Sequence, residues 1–349
     1  MLRTIKIINF RSIDTMDLYF EKKNAIIWKN GAWKTNILQA ICCIFWKKQN
    51  DFSIDEMLKL WQNFMYLEAA FDTTDFQHIV TFSYDASTNK KLITLNGKKA
   101  TKKQLFETLL KISYFSPSQM NLFYLWPKTR RDFLDSILCD SFSEYEDLLK
   151  KYEKIVKNRN KVLKNIFEEK SQKSEIDFWN DQFIQAAKKI YDYKIPLHNF
   201  IQEKIKEHTD IFQNKISSIE FSYISKIDLN NIESNIKTYL EKNFERDIIL
   251  WKTHIGPHID DFDILLDGKS LVSFASRWEI KSIILTLKQI EIQYIRLVSW
   301  IQPLLLIDDL SSELDEEHFL LMLEKVKEIQ IIYTGITAIE KEKNNILII

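Results

Sequence analysis

Apolar and polar positions fall into three textures along the chain. In the first 116 residues the alternation is that of strands, with one early helix. Residues 2–9 alternate, 25–27 form a short apolar strand, and 37–45 carry an apolar helix-compatible run. Residues 64–71, 78–84 and 91–95 alternate or are rich in β-formers, and Asn96-Gly97 marks a tight turn. Residues 112–115 make another short strand, closed by Ser116-Pro117. From 130 to 218 there is one proline and no glycine, and apolar residues such as Tyr145, Leu148, Leu149, Tyr152, Ile155 and Val156 recur at helical spacing. Similar stripes at 178–191 and 200–216 are too short for a long coiled-coil arm. After 219 the mixed texture returns, with apolar runs at 303–307 and 329–333. The pattern predicts an α/β lobe made of 1–116 and 219–349, interrupted by a helical lobe at 117–218.

Bulk properties narrow the class. The chain has 349 residues, 45% hydrophobic and 28% charged, enough for a large core. No apolar run reaches the length of a membrane span, and the N-terminus alternates like a strand rather than a signal peptide. Cys42, Cys43 and Cys139 follow no metal or disulfide spacing, which points to a reducing, cytoplasmic setting. Net charge is zero, so nucleic-acid binding would depend on a local basic patch. One figure is abnormal: glycine is 5 of 349, against an average of about 7%, while tryptophan is 9.

The chemistry lies in four short blocks. Leu304–Ile307, a buried-strand run, ends in Asp308-Asp309, a Walker-B-like arrangement that delivers carboxylates to a sheet edge. Taken alone it is common. Trp28-Lys29-Asn30-Gly31-Ala32-Trp33-Lys34-Thr35, followed by Asn36, lies between a strand and a helix. It matches the phosphate loop G-x-x-x-x-G-K-[ST] except that both glycines are tryptophan. Ser276-Arg277-Trp278-Glu279 precedes the acidic strand, where ABC-type ATPases carry a Ser-x-Gly-Glu/Gln signature opening a helix. Ser311-Ser312-Glu313-Leu314-Asp315 follows the acidic strand at the D-loop position.

With these blocks in order, the sequence resembles the RecF family of recombinational-repair ATPases. Asn9-Phe10-Arg11, the run Trp126 to Asp135 with Arg130-Arg131 and Phe133-Leu134-Asp135, and Tyr152 through Arg159-Asn160 all resemble family segments. So do Gly256-Pro257-His258-Ile259-Asp260-Asp261, with Ile259 in place of arginine, and 305–315. The resemblance spans nearly the whole chain. It implies an ABC-type, Rad50/SMC-head-like α/β lobe with an inserted helical lobe. It further implies ATP and Mg²⁺ as cofactors, an ATP-dependent homodimer on double-stranded DNA near single-strand gaps, and weak DNA-dependent hydrolysis for release. RecR, RecO and RecA loading onto gapped DNA, replication and the SOS response follow from the same resemblance.

Residue by residue, the resemblance gives Lys34 the β- and γ-phosphates, Thr35 and Asp308 the Mg²⁺, and Asp309 the attacking water. Residues 28–36 would line the nucleotide, and Ser276, Arg277, Trp278 and Glu279 would reach it across a dimer. Gln119 is a candidate Q-loop residue and Thr334 a candidate γ-phosphate switch. His254 and His258 lack a third metal partner and read as structural. Lysine pairs at 22–23, 47–48, 90–91, 98–99 and 102–103 are ordinary solvated faces singly, but several fall where RecF-like proteins meet duplex DNA. The alternatives are another SMC- or ABC-type repair ATPase head, or a non-catalytic DNA-binding scaffold.

Against the family pattern, Trp28, Trp33, Trp46, Trp61, Trp126, Trp251, Trp278 and Trp300 stand where glycine is expected; Trp179 does not. A genetic code that reads UGA as glycine would produce this pattern when its codons are read as tryptophan. Taken literally, Trp28 and Trp33 would crowd phosphate oxygens that glycine lets the backbone approach, and the chain would bind ATP poorly.

Overall fold

The structure is a computed structural model that describes residues 1–27, 33–47, 54–73, 76–212, 216–309, 326, 328–335 and 345–348. The first five residues of the phosphate loop, Trp28 to Ala32, and the D-loop block at 311–315 lie outside the described residues.

The chain opens with strands β1 (Leu2–Phe10), β2 (Ile13–Tyr19) and β3 (Lys23–Ile27), then helix α1 (Trp33–Ile44) and a short α2 (Ile54–Met57). β4 (Phe64–Asp72), β5 (Gln77–Asp85), β6 (Lys90–Leu95) and β7 (Lys98–Lys99) follow, then α3 (Lys102–Thr108) and β8 (Ile112–Phe115). Alternation fixes which face of these strands is buried: along β4 every second residue from Met65 to Phe71 is covered. Asn96 and Gly97, at φ 52° and 75°, make the two-residue turn joining β6 to β7. α3 starts on a capping box in which Thr101 and Gln104 satisfy each other's backbone N–H groups.

Next come α4 (Pro127–Ser141), α5 (Tyr145–Phe167), α6 (Glu175–Ile205), β9 (Ile219–Ile224), α7 (Ile232–Lys242) and α8 (Phe244–Leu250). β10 (Asp261–Leu266), β11 (Lys269–Ser270), α9 (Leu271–Phe274) and α10 (Arg277–Ser299) precede the closing strands β12 (Leu304–Ile307), β13 (Ile331–Gly335) and β14 (Asn345–Ile348).

Two compact units result: Met1–Asn121 with Glu291–Ile349, and Leu122–Ile290. The second border falls within α10: β9 pairs antiparallel with β10 and packs on α6, while α7 and α8 pack on α6 and α5. Residues 219–290 therefore share the helical unit's core.

In the first unit an antiparallel sheet runs β2-β1-β4-β5-β6-β7 and a parallel sheet runs β14-β3-β13-β12-β8. α1 buries Ile37, Leu38 and Ile41 in one cluster with Ile5, Met65 and Leu67 of the antiparallel sheet and Ile26, Leu306 and Ile332 of the parallel one. β12 sits between β13 and β8 with all four residues buried, as expected of a parallel-sheet centre.

The second unit has a polar centre. Arg159 of α5 is fully buried. Its Nη1 donates to Asp247 at 3.1 Å and to Thr253 at 2.7 Å, and its Nε to Asn180 at 2.9 Å. Tyr152 donates to Nδ1 of His258 at 2.6 Å, which leaves Nε2–H to donate to the Thr253 carbonyl at 3.2 Å. Burial pushes the His258 imidazole down to about 4. Gly256 holds φ +109°, and a Cβ there would lie 2.8 Å from both Phe183 and the Tyr152 hydroxyl. The Tyr…Arg-Asn helix and the Gly-Pro-His loop are thus two halves of one packed joint. His254 pairs with Asp247 at 3.2 Å, and among the described residues no metal-binding cluster of His, Cys, Asp and Glu occurs.

The tryptophans occupy distinctive backbone. Trp46, Trp61, Trp251 and Trp300 have φ of 59°, 68°, 52° and 59°, the left-handed region that favours glycine. Trp46 follows α1 in a Schellman cap, with Trp46 N–H to Cys43 O and Lys47 N–H to Cys42 O. Trp251 repeats this after α8, with bonds to Ile248 and Asp247, and Trp300 N–H closes α10 on Arg296 O. Trp61 is the third residue of a turn closed by Gln62 N–H on Lys59 O. Trp33, Trp126 and Trp278 stand at the N-terminal ends of α1, α4 and α10. Trp179, by contrast, lies inside α6 against the cluster of Leu163, Ile166, Ile176 and Ile248.

Candidate functional site

The C-terminal ends of the parallel strands and the start of α1 bring several predicted residues together. β12 ends at Ile307, so Asp308 emerges at the sheet edge, 6% exposed. Its Oδ1 accepts from Thr35 Oγ1 and from Thr334 Oγ1, each at 3.0 Å. Its Oδ2 accepts from the Tyr114 hydroxyl at 3.0 Å. Three elements converge because the register places them so: Leu306 is opposite Tyr114 on β8, Ile307 is opposite Tyr333 on β13, and α1 starts above both. Burial and the adjacent Asp308 carboxylate push the Tyr114 phenol well above its ordinary range.

Lys34 is buried in the first turn of α1, with Nζ donating to the Gly335 carbonyl at the end of β13, 3.0 Å away. Asp309 turns the chain at φ 39°, a left-handed value that aspartate tolerates, and donates its N–H to Thr334 Oγ1 at 2.9 Å. Thr334 thereby links Asp308 to Asp309. Asn36 turns its amide to Ser12 at 2.7 Å. Trp33 is 38% exposed at the mouth of this edge. The Gln119 side-chain oxygen is buried without a hydrogen-bond partner among the described residues.

In the other unit, Ser276 caps α10. Its hydroxyl accepts from Glu279 N–H at 3.2 Å, and its own N–H donates to the Glu279 carboxylate at 2.7 Å, a capping box. Ser276 and Arg277 are exposed, and Trp278 is 42% exposed. The helix therefore offers an open N-terminus of positive partial charge.

The site's oxygens, a carboxylate and hydroxyls within hydrogen-bonding distance of it, are hard donors of the kind magnesium takes. A primary ammonium beside them suits phosphate. Sequence reasoning missed Tyr114. The strand at 112–115 was legible, but nothing in its pattern marks a tyrosine facing the acidic tip.

No family model matches the chain. It is 30% identical over 351 residues to the DNA replication and repair protein RecF of Clostridium kluyveri, covering 97% of this chain and 94% of that one. The RecF of Clostridium botulinum is 31% identical over 360 residues, covering 97% and 94%, and that of Ruminiclostridium cellulolyticum 29% over 351 residues, covering 98% and 93%. Among solved structures, the recombination mediator protein RecF with ATP in the RecFOR pathway superposes at a TM-score of 0.83 with 24% identity, covering 98% of this chain and 93% of that one. A second RecF structure from the same pathway gives a TM-score of 0.85 with 24% identity, covering 99% and 94%.

Proposed function

The chain belongs to the family of the DNA replication and repair protein RecF and has its ABC-type ATPase fold, and from that membership we propose that it is an ATP-dependent DNA clamp of recombinational repair, acting in the cytoplasm. The observation that carries this reading is the convergence of Thr35, Thr334 and Tyr114 on Asp308 beside the buried Lys34.

In this reading Lys34 exchanges the Gly335 carbonyl for the β- and γ-phosphates of ATP. Thr35 and Asp308 hold Mg²⁺, which when bound neutralises phosphate charge. Asp309 orients the attacking water and accepts its proton. Thr334, bonded to both aspartates, relays the state of the γ-phosphate side to the acidic pair. Asn30, Gly31 and Ala32 would supply backbone donors. Ser276, Arg277 and Glu279 at the open start of α10 complete the partner's site in a head-to-head homodimer.

Lysines 90, 91, 98, 99, 102 and 103 are exposed along β6, β7 and the start of α3, a basic edge suited to duplex phosphates. ATP would close the dimer on double-stranded DNA near single-strand gaps, slow hydrolysis would release it, and RecR with RecO would use the clamp to load RecA. Among the described residues no helix is long and apolar enough to cross a membrane.

A second reading, a non-catalytic DNA-binding scaffold, is favoured if tryptophan at 28, 33 and 278 is native. Sedimentation with a gapped duplex, using the chain carrying glycine at those positions, separates the two. Dimers that form with ATP and disperse with ADP, and that vanish in Lys34→Ala, support the clamp. Monomers throughout, with no turnover, support the scaffold.

A further inference from the structure

Asp308 is the acidic residue that the proposed function places on the metal, yet half of its carboxylate is engaged by a residue outside every sequence block described above. Oδ1 faces the two threonines and Oδ2 faces Tyr114. A carboxylate at the end of a strand rotates about its terminal torsion, which is broad and two-fold. The threonines alone would let either oxygen, or a bidentate arrangement, face Thr35. A phenol donating to Oδ2 removes that freedom and leaves Oδ1 as the oxygen beside the Thr35 hydroxyl.

The phenol is itself fixed. β8 and β12 are in parallel register, with Leu306 opposite Tyr114, and Asp308 N–H donates to Phe115 O at 2.8 Å, so the backbones of the two residues cannot slide apart. The neighbouring Ser113, fully buried, donates to Glu291 of α10 at 2.9 Å, which anchors β8 from its other face. The hydroxyl thus stands on the strand adjacent to the one carrying its target, a rigid mount of the kind that orients metal ligands.

We propose that Tyr114 is a positioning residue for the metal: its hydroxyl holds Asp308 in the rotamer that presents Oδ1 beside Thr35, and so sets the magnesium affinity of the nucleotide site. In this role Tyr114 acts through Asp308 rather than as a ligand itself. This rests on the nucleotide reading above and deepens it.

The test uses the full chain with glycine at 28, 33 and 278, and its Tyr114→Phe variant, which keeps the ring and loses the hydroxyl. A fluorescent ATP analogue is titrated in EDTA and then against increasing Mg²⁺, and Mn²⁺ bound with ATP is counted by electron paramagnetic resonance. Losing a group that orients a metal ligand typically weakens metal binding 10–100-fold. Tyr114→Phe is therefore expected to bind the analogue in EDTA within about twofold of the parent and to need about tenfold more Mg²⁺ or Mn²⁺ for half-maximal effect. Asp308→Asn serves as the control that loses the metal response. An unchanged metal requirement in Tyr114→Phe, beside a normal response in the parent, overturns the positioning role and leaves the nucleotide site standing. A parent that shows no metal-dependent binding overturns the nucleotide reading and this proposal with it.

Discussion

Replacing Trp46, Trp61 and Trp300 together with glycine is expected to stabilise the chain, although it removes three large side chains. Each residue sits at φ near 60°, where a Cβ crowds the following carbonyl at a cost of about 1–2 kcal/mol. Against this stands the extra unfolded-state freedom of glycine, about 0.5–1 kcal/mol. Little packing is lost, since the three are 53%, 97% and 88% exposed. The net gain is about 0.5–1 kcal/mol per site. The sites cap different helices or close a separate turn, so the gains add to about 1.5–3 kcal/mol. At roughly 2 °C per kcal/mol for a unit of this size, the melting temperature should rise by about 3–6 °C. Trp251 is expected to give less, because its ring packs on Phe167 at 5.5 Å and lies under Lys164 at 5.3 Å, contacts worth about 1 kcal/mol. Trp179→Gly supplies the opposite sign. It opens the cluster around Leu163 and puts glycine inside α6, costing about 3 kcal/mol or more. Thermal melts followed by circular dichroism make the measurement. An unchanged or lower melting temperature in the triple variant would refute the strain argument, and with it the physical case that these positions are glycine in the natural protein. Peptide mass spectrometry from the native source addresses the same positions directly, with glycine expected and tryptophan the contrary finding.

The other expectations concern the helical unit. Asp247→Ala leaves the fully buried Arg159 guanidinium without its carboxylate and should cost about 3–5 kcal/mol in urea unfolding, with Arg159→Met/Asp247→Leu recovering much of it. Gly256→Ala forces a Cβ to within 2.8 Å of Phe183 and the Tyr152 hydroxyl at an unfavourable φ, and should cost about 3 kcal/mol or more by the same assay. His258 ordinarily titrates near 6.5 and is held down to about 4 in the fold. The unfolded chain therefore binds the extra proton between those values. Stability is full above pH 6.5 and falls as pH drops toward 4, by up to about 3 kcal/mol. His258→Gln should flatten that part of the profile.

The legible parts of the molecule were those written in side-chain period or in residue type. Strict alternation gave β4 and β5, four apolar residues before two aspartates gave β12 and its acidic tip, and Lys34-Thr35 before an apolar run gave the start of α1. Which core β9 serves was not legible, because it alternates like any strand and only its pairing with β10 shows the core it joins. Tyr114 was invisible for a related reason: its meaning lies in lateral register with Leu306, a relation between segments nearly two hundred residues apart in sequence. The Gly256–Asp261 block was recognisable as a motif, but its role as a joint with Tyr152 and Arg159 emerges only when α5 is packed against it.

The most direct test of the nucleotide site is equilibrium ATP binding in the presence of Mg²⁺, comparing the glycine-bearing chain with its Lys34→Ala variant. Saturable binding in the first and none in the second is the expected result. Equal binding in both, or none in either, would contradict the assignment of Lys34, Thr35 and Asp308 to the phosphates and their metal.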